Sequence, residues 1–309
     1  MRVLIIGGTG HIGVFLTKML ADDGNEVTVV STGRTMTDVG ALRGVHLARM
    51  DYRQALDDGT FIKLLKESNI EAVVDILQSH SALVYDACRK SGVAQLVACG
   101  SVWMFGRPKV VPTPEVDQGG NPFGGYRQRF AEMLEVMHRS KRDGFPFTGI
   151  MPPNICGPGK IPLEGAGGRS IEVHRAHQRG EEVVLPFPRT NLIGPCDAED
   201  VARGFHGALR NRQAAAGEIF NVGSAYALTT EKFIATYSGI YGSRIPVRYV
   251  PAEIYTRDIS PEIGAHFHFI EPMCPDISKI SSRLGYKPKY TPEETMARAV
   301  GWMREKGML

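Results

Sequence analysis

The sequence predicts an α/β protein: a doubly wound parallel sheet with a smaller C-terminal lobe. Three observations predict it. Between residues 2 and 151, short β-branched apolar runs alternate with amphipathic stretches of helical spacing, the rhythm of a parallel sheet covered by helices on both faces. A glycine-rich turn at residues 7–13 joins the first apolar run directly to the first amphipathic stretch. Beyond Pro152 the rhythm breaks, with prolines and glycines clustered from 152 to 168 and shorter elements after them. Right-handed crossovers turn the first pattern into a doubly wound layout.

The elements follow in order. Residues 3–6 are the first strand. Residues 12–21 carry Ile12, Phe15, Leu16, Met19 and Leu20 at helical spacing, with Gly24 as a stop. Strands are expected at 27–30, 45–49, 72–77, 95–99 and 147–151. Helices are expected at 61–67, 83–91 (ended by Gly92) and 131–141. In the second half, 191–196 and 218–222 look like segments returning to the core, and 229–241 and 292–305 read as helices. The expected division is a nucleotide-binding core over 1–155, with returning segments near 191–222, and a substrate lobe mainly over 156–309. No internal repeat or low-complexity segment appears.

Composition excludes several classes. The 309 residues are 43% hydrophobic and 22% charged, enough apolar content for a sizeable core and too much for a disordered chain. The net charge of +3 is the difference between 36 basic and 33 acidic residues, with no basic block to suggest nucleic acid. The five cysteines are odd in number and widely spread, without a CxxC pair. That argues for reduced thiols in a cytoplasm, several of them buried, and against a disulfide framework. No apolar run approaches the ~18 residues of a membrane span. No metal site is expected, because His266 and His268, placed on one strand face, lack a third ligand. His174 and His177 are expected on a solvated helix face.

The turn Gly7-Gly8-Thr9-Gly10-His11-Ile12-Gly13 has GxxGxxG spacing between a strand and a helix. Glycine lets the backbone approach a pyrophosphate, and the helix N-terminus adds aligned amides with partial positive charge. The backbone of Gly7, Thr9, Gly10, His11, Ile12 and Gly13 is therefore the expected dinucleotide cradle. The second strand ends in Val30-Ser31-Thr32-Gly33-Arg34, without the carboxylate that usually holds NAD ribose hydroxyls. Arg34 offers a guanidinium to a 2′-phosphate, with Ser31 and Thr32 as further donors, so NADP is favoured over NAD. Asp51, after the third strand, suits either the adenine amine or a turn cap.

On this turn and on later segments the chain resembles the extended short-chain dehydrogenase/reductases, the NAD-dependent epimerase/dehydratase group. Leu96-Val97-Ala98-Cys99-Gly100-Ser101-Val102-Trp103-Met104-Phe105-Gly106 is similar to the family strand ending in Ser-Ser-x-x-x-Tyr-Gly. Met151-Pro152-Pro153-Asn154-Ile155-Cys156-Gly157-Pro158 is similar to Arg-Pro-x-Asn-x-Tyr-Gly-Pro. Residues 197–202, 219–223 and 284–288 match three further family segments. The resemblance spans nearly the whole chain and implies a Rossmann fold. It also implies hydride transfer through a Ser, Tyr and Lys set, in which the lysine's charge eases deprotonation of the tyrosine.

Ser101 falls on the family serine. The tyrosine and lysine depart from the pattern, because Pro122-Phe123-Gly124-Gly125-Tyr126-Arg127-Gln128-Arg129-Phe130 contains no YxxxK. Three registers stand open: Tyr126 with Phe130, Gly124 with Gln128, and Phe123 with Arg127. Tyr126 is the only phenol there and is taken as the acid/base, with Gln128 as a ribose contact. A phenol without a nearby cation is a poor base at neutral pH. Met151, Phe105 and Cys99-Gly100 also replace family residues. Asn154 sits where the family contacts a substrate phosphate or sugar. Lys160 and Arg169 border the glycine-rich loop and suit a diphosphate.

The leading expectation is an NADP-dependent epimerase/dehydratase or reductase acting on a sugar nucleotide or another small carbonyl or hydroxyl compound. The alternative is a cofactor-loaded sensor or scaffold without chemistry. A third reading, RNA binding, is disfavoured by the near-neutral charge. The resemblance also implies a homodimer through helix 131–141, where Met133, Leu134, Val136 and Met137 offer apolar surface.

Overall fold

In the computed structural model, residues 1–34, 38–78, 80–188 and 191–309 are described. The first half reads β1 (Arg2–Ile6), α1 (Gly13–Asp22), β2 (Glu26–Ser31), β3 (Val45–Arg49), α2 (Tyr52–Asp57), α3 (Thr60–Glu67), β4 (Ala72–Asp75), α4 (Ser81–Ser91) and β5 (Gln95–Cys99). A 3₁₀ turn, Val102–Phe105, then precedes α5 (Gly124–Asp143), β6 (Phe147–Met151) and β7 (Asn154–Cys156). The second half holds α6 (Ile171–Gln178), β8 (Val183–Phe187), β9 (Leu192–Ile193), β10 (Pro195–Asp197), α7 (Ala198–Arg210), α8 (Arg212–Ala215), β11 (Glu218–Asn221) and β12 (Leu228–Thr229). It ends with α9 (Thr230–Tyr241), β13 (Val247–Pro251), α10 (Ala252–Ile254), α11 (Ile263–Ile270), α12 (Ser278–Leu284) and α13 (Pro292–Glu305).

Seven strands form one sheet in the order β11-β6-β5-β4-β1-β2-β3. Every neighbouring pair is parallel. The doubly wound α/β class is what the sequence predicts. The order reverses between β1 and β4, so the carboxyl ends of those strands open a crevice at the switch point. One face of the sheet is covered by α2 to α5, with Phe61, Tyr85, Phe105, Met133 and Phe147 among its buried residues. The other is covered by α1 and α7, with Leu16, Leu20, Val201 and Phe205 packed on Val3 and Ile5. A third cluster, including Leu185, Phe233, Tyr237, Met296 and Val300, fills the C-terminal lobe.

Several elements differ from expectation for identifiable reasons. The helix expected at 131–141 begins seven residues earlier, at Gly124. First-turn N–H groups need no helical partner, so Gly124-Gly125 are tolerated there. Met133, Val136 and Met137 of α5 pack into the core, and Leu134 is exposed. The apolar surface proposed for pairing is thus largely spent within the subunit. Residues 218–221 join the sheet beside β6, whereas 192–197 form two ribbons outside it, β9 with β12 and β10 with β7. α7, which lies within the segments near 191–222 expected to return to the core, also packs on the sheet. His266 and His268 lie on helix α11 and not on a strand, because this apolar segment packs as a helix over the cleft. All five cysteines are free, and four are buried. Among the described residues no helix is long and apolar enough to cross a membrane.

Phe220 is fully buried on β11, the strand that enters the sheet last. Phe220→Ala should cost about 3–5 kcal/mol, read as a lowered urea midpoint. A change under about 1 kcal/mol would mean that β11 is not packed as described.

Candidate functional site

The glycine turn sits at the carboxyl end of β1. Gly7 has a φ of +88°, a conformation that favours glycine. The Gly10 N–H donates to the Gly7 carbonyl at 3.0 Å. A Cβ on Gly13 would lie 2.3 Å from the Gly7 oxygen and 2.5 Å from the Gly8 Cα. Only glycine lets the helix start so close to the strand. Thr9 Oγ1 and Ser31 Oγ lie 3.1 Å apart, tying the turn to the end of β2. Thr32 and Arg34 are exposed there. Asp51 caps α2 by accepting from the Arg53 N–H at 3.0 Å, which realises the cap reading and leaves one carboxylate oxygen for another partner.

Two clefts meet at His11. The first, about 660 Å³, runs along Thr9, Gly10 and Phe15 towards Gly159 and Trp302. The second, about 370 Å³, lies beyond the carboxyl ends of β4, β5 and β6. Ser101 and Gln78 line it from the sheet, and Trp103, Phe123 and Tyr126 from the neighbouring turn and the start of α5. Asn154, Lys160 and Arg169 line it from β7 and the loop after it, and Phe267 and His268 from α11. The tertiary structure thus gathers Ser101, Tyr126, His11, Asn154, Lys160 and Arg169, which are scattered in sequence, around one space.

It does not gather Gln128. That residue, expected to hold the nicotinamide ribose, is exposed on α5 and outside the cleft. Helical geometry explains this: two positions along a helix turn a side chain through about 200°, so Gln128 faces away from Tyr126. Arg127 and Arg129 are also exposed, and Phe130 is buried edge-on to Phe105 at 5.4 Å. Among the described residues α5 therefore brings a phenol to the cleft but no cation.

Ser101 is buried, and its Oγ accepts from the Trp103 N–H at 3.3 Å, capping the 3₁₀ turn. Gln78 was missed by sequence reasoning. Its φ of +61° is unusual for a non-glycine residue, and its side chain donates to the Gly100 carbonyl at 2.7 Å. It stitches the ends of β4 and β5 together beside Ser101. Trp103 and Phe267 were missed as well, and Phe123 entered only as one register for the family tyrosine. Their edge-on contacts, 4.6 Å for Trp103 to Phe267 and 5.0 Å for Phe123 to Phe267, make an aromatic floor that no local motif announces.

The cleft is electropositive. Among the described residues neither Lys160 nor Arg169 makes an ion pair, and Arg169 donates to the Ile161 carbonyl. Burial lowers the pKa of Lys160, with the Arg169 charge adding to it, and burial likewise lowers that of Arg169. Burial, then Lys160 and Arg169, push His11 down to about 4. Two nitrogens of cleft-lining residues, Asn154 Nδ2 and His268 Nδ1, are closed off from solvent and lack partners. His11, Lys160 and Arg169 line the cleft and no carboxylate does, so the arrangement suits an incoming anionic ligand. Among the described residues there is no group of three His, Cys, Asp or Glu side chains that could hold a metal ion.

The loop carrying Lys160 and Arg169 is pinned from behind. His174 Nε2 meets the Pro162 carbonyl at 3.2 Å, and His174 Nδ1 meets the Tyr241 hydroxyl at 2.9 Å. His177 Nε2 accepts from the Gly165 N–H at 3.0 Å, and the Tyr237 hydroxyl donates to the Leu163 carbonyl. Both histidines are buried, correcting the expectation of a solvated face. Their rings face the lobe core, where they serve as hydrogen-bond anchors.

The comparisons with known proteins bear on the family and the fold. The sequence model of the NAD dependent epimerase/dehydratase family matches residues 3–223. A UDP-glucose 4-epimerase from Lactobacillus helveticus is 24% identical, over 98% of this chain and 97% of its own length. A chloroplast stem-loop binding protein of 41 kDa from Arabidopsis thaliana is 25% identical, over 94% of this chain and 75% of its own length. The crystal structure of a UDP-glucose-4-epimerase from Stenotrophomonas maltophila, with NAD and a formylated UDP-arabinopyranose bound, shares the fold with a TM-score of 0.78 at 20% identity, covering 99% of both chains.

Burial holds His174 and His177 at about 4, down from 6.5. In that window the unfolded chain binds more protons than the native one, so the stability they contribute is full above about 6.5 and is lost as pH falls towards 4. Asp75 and Asp200, pushed up to about 6 by burial, act in the opposite sense below that pH. NMR should find both imidazoles neutral at pH 5.5, with faster amide exchange in loop 157–168 appearing only nearer pH 4. Rings titrating at 6.5 would contradict the packing. The family match across residues 3–223, on a glycine turn and parallel sheet of the matching kind, places this chain in the NAD dependent epimerase/dehydratase family.

Proposed function

We propose that this chain binds a nicotinamide dinucleotide, NADP in preference to NAD, across its glycine turn. In the adjoining cleft it oxidises, reduces or epimerises a small hydroxyl or carbonyl compound, with a nucleotide sugar as the first candidate. The observation that carries the reading is that Ser101, Tyr126, Asn154, Lys160 and Arg169 line one cleft, which meets the glycine turn at His11. The close approach of Gly13 to Gly7 and Gly8 supports a pyrophosphate cradle there.

The residues divide the work. Gly7, Thr9, Gly10, His11, Ile12 and Gly13 hold the pyrophosphate. Ser31, Thr32 and Arg34 face the adenosine ribose, and Arg34 meets a 2′-phosphate. Asp51 reaches the adenine amine with its remaining carboxylate oxygen. Asn154, Lys160 and Arg169 take the substrate's phosphates, which gives the two cations an anionic partner. Ser101 and Tyr126 offer hydroxyls to the reacting oxygen. When bound, the dinucleotide supplies the hydride chemistry. A homodimer belongs to the proposal, with exposed Leu83 on α4 and Leu134 on α5 as the apolar contacts that remain for it.

A second reading, a cofactor-loaded binding protein, is favoured by one observation: α5 brings no cation to Tyr126. Stereospecific exchange of deuterium from NADPH labelled at the nicotinamide into carbonyl acceptors separates the two. Tyr126→Phe should lower that exchange by about 10²–10⁴-fold, and undiminished exchange removes Tyr126 from the mechanism.

Cofactor choice is tested by fluorescence titration. Arg34→Ala should weaken NADPH about 10- to 100-fold, the worth of one charge-assisted hydrogen bond at about 1.5–3 kcal/mol, and leave NADH nearly unchanged. Equal loss for both cofactors would remove Arg34 from the site.

A further inference from the structure

We propose that Arg49, at the end of β3, is a second guanidinium of the cofactor site and grips the 2′-phosphate of NADP together with Arg34. The inference rests on the cofactor reading above. It adds a residue from a different strand, which neither the glycine turn nor the end of β2 announces.

The strand register brings Arg49 to the site. β2 and β3 run parallel, with Val27 beside Val45, Val29 beside Leu47 and Ser31 beside Arg49. Side chains alternate between faces along a strand, so these pairs share one face of the sheet. It is the face on which Val27, Val29 and Val45 cluster with Leu16 and Leu20 of α1. At the carboxyl end the apolar pairs give way to Ser31 and Arg49, side by side. Ser31 Oγ lies 3.1 Å from Thr9 Oγ1 of the glycine turn. Arg49 therefore arrives at the opening of the sheet on the α1 face, one strand further out than Ser31.

Gly33 supplies the second half of the contact. Its φ is +77°, and its N–H donates to Ser31 Oγ at 3.1 Å. A Cβ on Gly33 would lie 3.0 Å from Arg49 Nε and 3.4 Å from Arg49 Cζ. The guanidinium thus lies against the Gly33 backbone, in the space a side chain there would take. Both Arg34 and Arg49 are exposed. Among the described residues neither side chain makes an ion pair or a hydrogen bond. Asp51, two positions beyond Arg49, caps α2 instead. Two uncommitted guanidinium groups therefore flank the end of β2, where folds of this kind hold the adenosine ribose.

This arrangement suits a phosphate monoester better than a ribose diol. A 2′-hydroxyl is neutral and gains little from a second cation. A 2′-phosphate carries about −1.5 to −2 charge at pH 7 and three acceptor oxygens, enough to engage a guanidinium from each of two strands. The empty site costs little, because both cations stay solvated. Its effect is discrimination, since it acts on NADP and not on NAD. A guanidinium that stacked on the adenine ring instead would act on both dinucleotides alike, and that difference can be measured.

The test uses the full chain and two pairs of ligands that differ in the 2′-phosphate. NADPH is compared with NADH by fluorescence titration, and adenosine 2′,5′-bisphosphate with adenosine 5′-monophosphate by calorimetry. Arg49→Ala should weaken NADPH and the bisphosphate about 10- to 100-fold, with NADH and the monophosphate within about twofold. Arg49→Lys keeps the charge without the fork and should recover part of the loss. Added salt should weaken NADPH more in the wild-type protein than in Arg49→Ala. Arg43→Ala, near the other end of β3, should leave all four affinities unchanged. Undiminished NADPH affinity in Arg49→Ala overturns the assignment. So does an equal loss for NADPH and NADH, which would put the guanidinium on the adenosine common to both. A wild-type protein that binds NADPH no better than NADH overturns the cofactor reading and this assignment with it. A preference for NADPH that is lost in Arg34→Ala but kept in Arg49→Ala removes Arg49 alone.

Discussion

Helix α1 rests on the sheet because nothing projects from Gly13. Its Cα lies so near the Gly7 carbonyl and the Gly8 backbone that a single methyl group would collide with both. That contact fixes where α1 begins, aims its first amides at the crevice between β1 and β4, and lets Leu16 and Leu20 pack on Val3 and Ile5. The parallel ladder does the rest. Every strand of the sheet ends on the same side, so the chain leaving β4, β5 and β6 must pass the same opening. Gln78, Ser101 and Asn154 lie on those three exits.

The cleft beside the turn is costly to maintain. Lys160, Arg169, His11 and His268 are crowded together without a carboxylate among the cleft residues, and each has its charged form disfavoured by burial. A fold optimised for stability alone would pair or expose them. Instead the loop that carries Lys160 and Arg169 is pinned from the lobe side by His174, His177 and Tyr237. These bonds keep the two cations facing the opening. Stability given up at the cleft is offset by bonds buried behind it.

Much of the scaffold was legible because it is written in local patterns. The strands at 95–99 and 147–151 and the helix at 292–305 follow from apolar periodicity. The glycine turn was legible because its spacing and its place between strand and helix are both local. The start of α5 was not, since Gly124-Gly125 oppose a helix by propensity and only the first turn's relaxed hydrogen-bond demand admits them. The cleft was half legible. Ser101 and Asn154 were found through motifs. Gln128 was assigned by counting along a helix whose facing the count did not supply. His268 was read as part of a strand, because alternating His-Phe-His mimics a two-residue period.

The sequence by itself determined the class of the fold, the order of its elements and the glycine turn, since each depends on residues adjacent in the chain. Tertiary structure alone decided which distant side chains share a space. Trp103, Tyr126, Arg169 and His268 meet only after the lobe folds over the ends of the strands. Which of two histidines faces the cleft, and whether an arginine there finds a carboxylate, are questions of packing between elements. No pattern within a single element contains the answer.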